Sequence, residues 1–491
     1  MSKVKKVLAI ILSMAMILGM SLTTFAETKD TATITVNNAE DATLEYAPII
    51  KADRSTSTGW AFVNPTVAQA FLSAFPGYET DQALLEYMAT VASNPDTIEA
   101  NYAQALSNVV KENAVTLTSM ENPQSVSDAG VYMIKAKEEG YTYGYMAAFV
   151  GFGEVTIEDP EGEGDITYEY PSLVDAEVNA KKTPTTTTKT ENVDDNLVEV
   201  GTIVTYTIEA YVPYFDSNDT NKTFSISDTI EGADYYFEGT GAIAKVEVAG
   251  IQGEYKDADD FILNSARNSF SINLNDLVSN GTNQYAGNKV TVTYTAKVTG
   301  TPGEDGLIDV NNTAASHVGT NEYNSDKITL YTAQIIMTKK DSEDQSKILS
   351  GAGFLIYKKE GGKNYYATFD SNNLLSGWTE VKDSATEVFT GTDGTVTVKG
   401  LDQGTYYFEE KTAPEGYSVN GTDKDAVIAI TGEDGVAKDT ITVNVDMLDT
   451  KLSSLPETGG IGTTIFTIGG CVIMIAAAGL YFASRRRQEN K

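Results

Sequence analysis

Chemistry in this chain has few residue types to draw on. Its 491 residues hold one cysteine, Cys471, and one histidine, His317, against 69 Asp and Glu and 35 Lys and Arg. Nucleophile–base triads and His-based metal sites are thereby largely excluded. Carboxylates abound, but no pair carries a diagnostic spacing. Asp257 to Asp260 lacks the pattern of an EF-type calcium loop and reads as a solvated turn. No metal and no cofactor is expected. The most specific order of residues stands near the C-terminal end: Leu455-Pro456-Glu457-Thr458-Gly459, then Gly460, the uncharged run from Ile461 to Ala483, and Arg485-Arg486-Arg487. The run exceeds the about 20 residues that cross a hydrocarbon core as one helix. The arginines supply a cytoplasmic anchor of the positive-inside kind.

Motif, span and basic tail in this order resemble the LPxTG sorting signal of Gram-positive surface proteins that are substrates of sortase, a membrane transpeptidase. The resemblance implies cleavage of the Thr458–Gly459 bond, capture of the Thr458 carbonyl as a thioester and its transfer to an amine. The plainer reading is a turn ahead of an ordinary membrane anchor.

The other end fits the same route. Lys3, Lys5 and Lys6, the apolar stretch Val7 to Leu22 and then Thr24-Phe25-Ala26 predict a signal peptide, residues 1–26, with Glu27 first in the mature chain. Cys471 lies inside the anchor run, so the exported part has no disulfide. A formal charge of −34 argues against nucleic acid and anionic lipid as partners. The length leaves room for roughly three domains of about 150 residues.

The elements follow from periodicity. Residues 27–178 mix strand patterns (Thr33 to Val36, Gly130 to Ile134, Tyr141 to Val150) with helical ones (Thr66 to Phe75, Thr80 to Ser93, Thr97 to Asn113). Trp60, Phe62, Phe71 and Phe75 read as core. Asp175 to Asp195, with Lys181-Lys182-Thr183-Pro184 and a run of threonines, reads as an extended linker. Period-two alternation then dominates residues 179–332, in Thr202 to Ile208 and in Lys289 to Thr295. It returns in a smaller unit, residues 333–451, in which Ile335, Met337 and Lys339 share a face. The predicted class is mainly β: tandem Ig-like β-sandwich domains after a mixed α/β domain, ending in the sorting segment 452–491 with one transmembrane helix.

These units resemble a sortase-assembled pilin of the backbone, or shaft, type. Thr338-Lys339-Lys340-Asp341 with Leu349-Ser350-Gly351-Ala352-Gly353-Phe354, and Glu410 with Ala413-Pro414-Glu415-Gly416-Tyr417, match the entry and the "E-x-x-A-P-x-G-Y" box of a collagen-adhesin B-type (SpaA-like) domain. Val200 to Ile208, Ser227-Asp228-Thr229-Ile230 and Asn311-Asn312-Thr313-Ala314 resemble a fimbrial isopeptide-forming domain.

The resemblance implies one internal Lys–Asn or Lys–Asp isopeptide bond per domain, formed without a second enzyme. The residue types suit it physically. Burial lowers a lysine's pKa and frees its amine, while a buried carboxyl stays protonated and shuttles protons. The carried-over set is Lys189 as nucleophile, Asp228 as acid and Asn312 as acceptor, with Asn311 the neighbouring alternative. In the last domain it is Lys339 and Glu410. Alternation from Ile441 through Val443, Val445 and Met447 brings Asp449 to the inner face, where Asp449-Thr450-Lys451 matches the family's terminal "N-x-K". Asn444 is the alternative acceptor, on the opposite face unless a bulge shifts the register. An unreacted buried Lys–carboxylate pair is the conventional alternative.

A shaft subunit also needs an amine to receive the preceding subunit's Thr458. The family's Tyr-Pro-Lys motif reads Tyr170-Pro171-Ser172 here, and Lys181 or Lys182 are positional substitutes. The expected function is a non-enzymatic structural subunit: exported, held in the membrane as a precursor, then linked to pilus and peptidoglycan by pilin-class and housekeeping sortases. Two alternatives stay open. One is a tip or base subunit. The other is a monomeric wall-anchored adhesin contacting a host or environmental ligand through Trp60, Tyr141, Tyr143 and Tyr145, residues whose plainer role is cross-strand packing.

Overall fold

The computed structural model describes residues 31–90, 95–157, 166–236, 244–253, 255, 261–279, 283–429, 441–452 and 462–488. The leader, the Asp257–Asp260 turn and the motif Leu455–Gly459 lie outside the described residues. The chain divides into two compact units. One comprises residues up to Asn196 with Gly201–Thr301 and Ile308–Tyr331; the other comprises Leu197–Val200, Pro302–Leu307 and the chain from Thr332 onward.

In the first unit, the amphipathic stretches near the N-terminus become the helices Pro65–Ala74, Asp81–Thr90 and Pro95–Lys111. Asn64 starts the first, its side chain accepting from the Val67 amide at 2.9 Å, with Pro65 at the first helical position. The three helices bury Phe71, Leu84, Leu85, Met88, Tyr102 and Leu106 against Ile49, Phe62 and Val131 of a sheet. That sheet orders Trp60–Phe62, Thr43–Ala52, Gly130–Lys137 and Met146–Val150, with Thr118–Met120 paired to the second. Each such side chain removed from water stabilises the fold by about 1.5–3 kcal/mol.

The stretch read as a linker is folded. Ala176–Asn179 pairs in parallel with Ala32–Asn37, Lys182–Pro184 pairs with Tyr141–Tyr143, and Thr188–Glu191 pairs with Ile203–Tyr211. Ala176, Val178, Thr183, Thr187 and Lys189 are buried. Threonine is β-branched and suits a pleated, half-buried surface, so a polar run with little hydrophobicity still forms strands.

Two facing sheets complete this unit. One runs through Thr188–Glu191, Ile203–Tyr211, Lys289–Val298 and Ala233–Tyr235; the other runs through Phe261–Leu263, Ser269–Asn273, Phe224–Glu231, Asp309–Val318 and Asn321–Asn324. Strict alternation decides what faces inward. Val204, Tyr206 and Ile208 come from one sheet and Phe224, Ile226 and Ile230 from the other; all are at most 1% exposed.

The second unit is also two-layered. Ala333–Asp341 lies between Thr395–Leu401 and Thr442–Asp449, and it pairs with the latter in parallel. The second sheet orders Leu375–Thr379, Lys363–Phe369, Gly353–Glu360, Gly404–Thr412 and Lys424–Ile428. Phe354 and Phe408 meet edge to face inside it, centroids 6.2 Å apart. The apolar C-terminal run forms the helix Gly462–Gln488. Its segment Ile465–Arg486 has a mean hydropathy of 2.1 and none of it is buried, which fits a span whose solvent is lipid.

Candidate functional site

The first unit buries a lysine in a site built by alternation on three strands. Lys189 points inward from Thr188–Glu191, Asp228 from Phe224–Glu231 and Asn312 from Asp309–Val318. The Asp228 and Asn312 strands are neighbours: Ile230 stands opposite Asn312 in the antiparallel ladder, and Asp228 opposite Ala314. Lys189 comes from the opposing sheet. Its Nζ donates to both Asp228 Oδ2 and Asn312 Oδ1. The Lys189 and Asp228 side chains are wholly removed from solvent, as is Asn312.

Tyrosines form the walls. Tyr235 donates to Asp228 Oδ1 at 2.8 Å, and the Asn312 amide donates to Tyr294 Oη at 2.9 Å. Lys189 Nζ sits 5.3 Å from the Tyr206 ring centroid and 5.5 Å from that of Tyr294. The Asn312 carbonyl oxygen thus faces the amine while its NH2 is held by a phenol. Burial pushes the Lys189 amine down to about 8, against the opposing pull of Asp228. Burial likewise pushes the Asp228 carboxyl up, against Lys189 and the tyrosine hydroxyls. Both shifts favour the neutral pair, a free amine beside a protonated acid. The neighbouring Asn311 is turned the other way, its side chain accepting from Thr329 Oγ1 at 3.0 Å.

A second buried lysine stands in the other unit. Ile335, Met337, Lys339 and Asp341 are the inward residues of Ala333–Asp341. Lys339 Nζ is 2.9 Å from Glu410 Oε1 and 3.5 Å from Asp449 Oδ2, with all three side chains at most 1% exposed. Glu410 reaches in from the facing sheet and is fixed by the Asn420 amide, which donates to its Oε2 at 2.6 Å. Lys339 Nζ, Glu410 Oε1 and Asp449 Oδ2 make no directional hydrogen bond among the described residues. Burial pushes the Asp449 carboxyl up; Lys339 opposes this and Glu410 adds to it. Asn444 is exposed, and its strand runs without a bulge from Thr442 to Asp449, so the register that brings Asp449 inward turns Asn444 outward.

The tyrosines of the first site escaped the sequence reading. Their signal was available, because Tyr206 and Tyr294 occupy inward positions of strands whose alternation was plain. Lys181 and Lys182 lie together at the edge of the mixed α/β part. Lys181 is exposed; Lys182 Nζ is 3.6 Å from Glu138 Oε2 and 4.4 Å from the Tyr141 ring centroid. The aromatic platform is occupied by packing: Trp60 meets Phe149 at 5.6 Å and Phe152 at 6.4 Å, and Tyr143 donates to Glu138.

Comparison with known proteins gives two family matches. Residues 333–445 match the SpaA family, described as a prealbumin-like fold domain, and residues 448–491 match the LPXTG cell wall anchor motif. The trypsin-resistant surface T6 protein of Streptococcus pyogenes serotype M6 is 22% identical over 436 residues, covering 73% of this chain and 79% of the relative. The solved T6 backbone pilin of that organism, described as a modular three-domain structure, aligns with a TM-score of 0.54 at 16% identity over 88% of this chain and all of that one. The full-length major pilin SpaD of Corynebacterium diphtheriae aligns over 88% of this chain and 99% of its own, at 16% identity and a TM-score of 0.47.

Proposed function

We propose that this LPXTG-anchored pilin, a structural subunit of a cell-surface pilus, is polymerised through Thr458 and locked internally by two isopeptide bonds, Lys189–Asn312 and Lys339–Asp449. The observation that carries the internal bonds is the pair of buried amines, each held against one side-chain carbonyl and one acid.

The chemistry balances within each site. In the first, the neutral Lys189 amine attacks Asn312 Cγ while Asp228, protonated, hydrogen-bonds the developing oxyanion. Asp228 gives its proton to the departing nitrogen and recovers one from the attacking amine, so a C–N bond forms, a C–N bond breaks, ammonia leaves and the acid is restored. Tyr235 holds Asp228 in place, and Tyr294 orients the Asn312 amide. In the second, Lys339 attacks Asp449 Cγ, Glu410 shuttles the proton, and water leaves. Proximity carries much of the rate, since the reacting groups are already near contact distance and buried from solvent. Each bond forms once, so the protein is a structural element and not a turnover enzyme.

We read the mature chain as three domains, residues 27–178, 179–332 and 333–451, ahead of the sorting segment 452–491. A pilin-class sortase cuts after Thr458 and joins it to a lysine of the next subunit. A housekeeping sortase passes the last subunit to peptidoglycan. Lys181 is the first receiving amine to test, because it is the more exposed of the two. Cells producing the full chain should release a covalent ladder on shearing, absent with Thr458→Ala. A full-chain sample without the ladder would overturn the polymer reading.

A further inference from the structure

A second polar cluster lies just beyond the Lys339 site and has no part in the chemistry above. Asp341, two residues after Lys339, is fully buried. Its Oδ2 accepts from the Tyr417 hydroxyl at 2.8 Å and lies 3.1 Å from Lys451 Nζ. Its Oδ1 accepts from the amides of Glu343 at 2.8 Å and Asp344 at 3.3 Å.

The origin of these residues is informative. Asp341 shares a strand with Lys339, Tyr417 follows Glu410 in the same sequence box, and Lys451 stands two residues past Asp449. Each of the three segments that delivers a member of the reacting set thus delivers a member of this cluster. Backbone contacts draw the same ends together. Asp341 pairs with Asp449 in the parallel ladder, the Ser342 amide donates to the Asp449 carbonyl at 2.8 Å, and Tyr417 bridges to Lys451.

We infer that Asp341, Tyr417 and Lys451 form a clasp that positions Asp449 for attack by Lys339 and keeps Asp341 itself from reacting. The inference rests on the cross-link proposed above. Asp449 is near the end of the last strand, where a chain frays unless held. A slip of one residue would carry its carboxyl to the outer face. The clasp holds that end from both sides. It also distinguishes two aspartates that stand opposite each other in the ladder, Asp341 two residues from Lys339 and Asp449 with its Oδ2 3.5 Å from the amine. Asp341 accepts from a phenol and two backbone amides beside an ammonium, so its carboxyl stays well below the usual range and ionised, a poor electrophile. Asp449 accepts from one backbone amide only, that of Thr450 at 3.2 Å, and faces Glu410, which favours its protonated, attackable form.

The test follows the full chain during cell-free synthesis in detergent, with samples quenched over time and digested. The Lys339–Asp449 peptide pair, lighter by one water when joined, is quantified against its unjoined form. The Lys189–Asn312 pair in the same molecules is the internal control. Tyr417→Phe removes the phenol's bond to Asp341, and Lys451→Met removes the ammonium's contacts with Asp341 and with Glu343 at 3.3 Å; each is expected to slow joining at Asp449 by about tenfold or more. Lys451→Arg restores the rate, and the control pair joins unchanged throughout. Equal rates in all variants, or a slowing that Lys451→Arg does not rescue, would overturn the clasp and leave the cross-link standing. A wild-type chain that never joins Lys339 to Asp449 overturns the cross-link and the clasp with it.

Discussion

Replacing Lys189 by methionine removes the amine on which the first proposed bond depends and leaves an apolar side chain of similar reach. Lys189 and Asn312 are 123 positions apart. Closing a loop of that size removes unfolded-chain entropy corresponding to about 5 kcal/mol at 25 °C in the chain-entropy treatment of cross-links. In a domain of about 150 residues each kcal/mol moves the melting temperature by roughly 2–4 °C, so the loss is expected to be roughly 10–20 °C. Side effects of the substitution are small. Asp228 remains buried, retains the hydrogen bond from Tyr235, and holds its proton more firmly once the amine is gone. Asn312→Ala removes the same bond from the other end, yet leaves the amine beside Asp228, so the two variants should melt similarly. Scanning calorimetry with peptide mapping supplies both readouts. If the wild-type chain has lost one ammonia between these residues and Lys189→Met still melts within a few degrees of it, the loop-entropy reasoning is wrong. If no ammonia is lost, no bond exists.

Other expectations follow from the same geometry. Bond formation at Lys189 should accelerate as pH rises toward about 8, where the buried amine loses its proton; quenched-flow refolding of newly made chain over a pH series reports it. In the unlinked Asn312→Ala chain, a Lys189 pKa below the ordinary 10.5 means that the unfolded state binds more protons between about 8 and 10.5. Stability should therefore rise with pH across that window in denaturant titrations and fall as pH drops toward 8; a flat profile would contradict the shift. Glu410→Ala should leave Lys339 and Asp449 unjoined, so that the water stays in the peptide mass, while the Lys189 site reacts normally. Lys181→Arg should shorten or abolish the covalent ladder, and an unchanged ladder would move the receiving amine elsewhere.

Alternation made much of this legible. Lys339 was in phase with Ile335 and Met337, and counting on from Ile441 turned Asp449 inward and Asn444 outward, as the strand in fact runs. Period-two reasoning succeeds here because each sheet has one buried face, which leaves no freedom of register. It stopped short where partners come from distant segments. Nothing local marks Tyr235 as the donor to Asp228, or Tyr417 and Lys451 as neighbours of Asp341. The parallel pairing of Ala333–Asp341 with Thr442–Asp449 joins residues about a hundred positions apart and has no local signature. The Thr-rich stretch before Lys189 failed for another reason. Its polarity spoke for solvent, yet β-branching and alternate burial outweighed polarity, and that same strand delivers the lysine to the core.

The two proposed cross-links would divide mechanical load unequally. Tension along a pilus enters and leaves each domain through its chain ends, so only residues outside a closed loop can be drawn out. In the Lys339–Asp449 unit the loop encloses nearly everything: residues 333–338 and 450–452 lie outside it, and the clasp at Lys451 holds the latter. The Lys189–Asn312 loop ends earlier. The remainder of the Asn312 strand, the strand Asn321–Asn324 and the strand Ile328–Tyr331 follow it and are held by non-covalent contacts alone: backbone pairing, with Ile328 opposite Asn312 and Tyr331 opposite Asp309, side-chain bonds such as Thr329 to Asn311, and the burial of Leu330. Under load, stretch 313–331 should peel away before the covalent bond bears force, releasing at most about 60–70 Å of extended chain. Single-molecule pulling on the full chain between handles placed at residues 188 and 332 should show one reversible step no longer than this. Asn312→Ala should lengthen that step several-fold, because the loop from residue 189 to 312 then unravels too. A wild-type step already long enough to include that loop would mean that no covalent tie closes it.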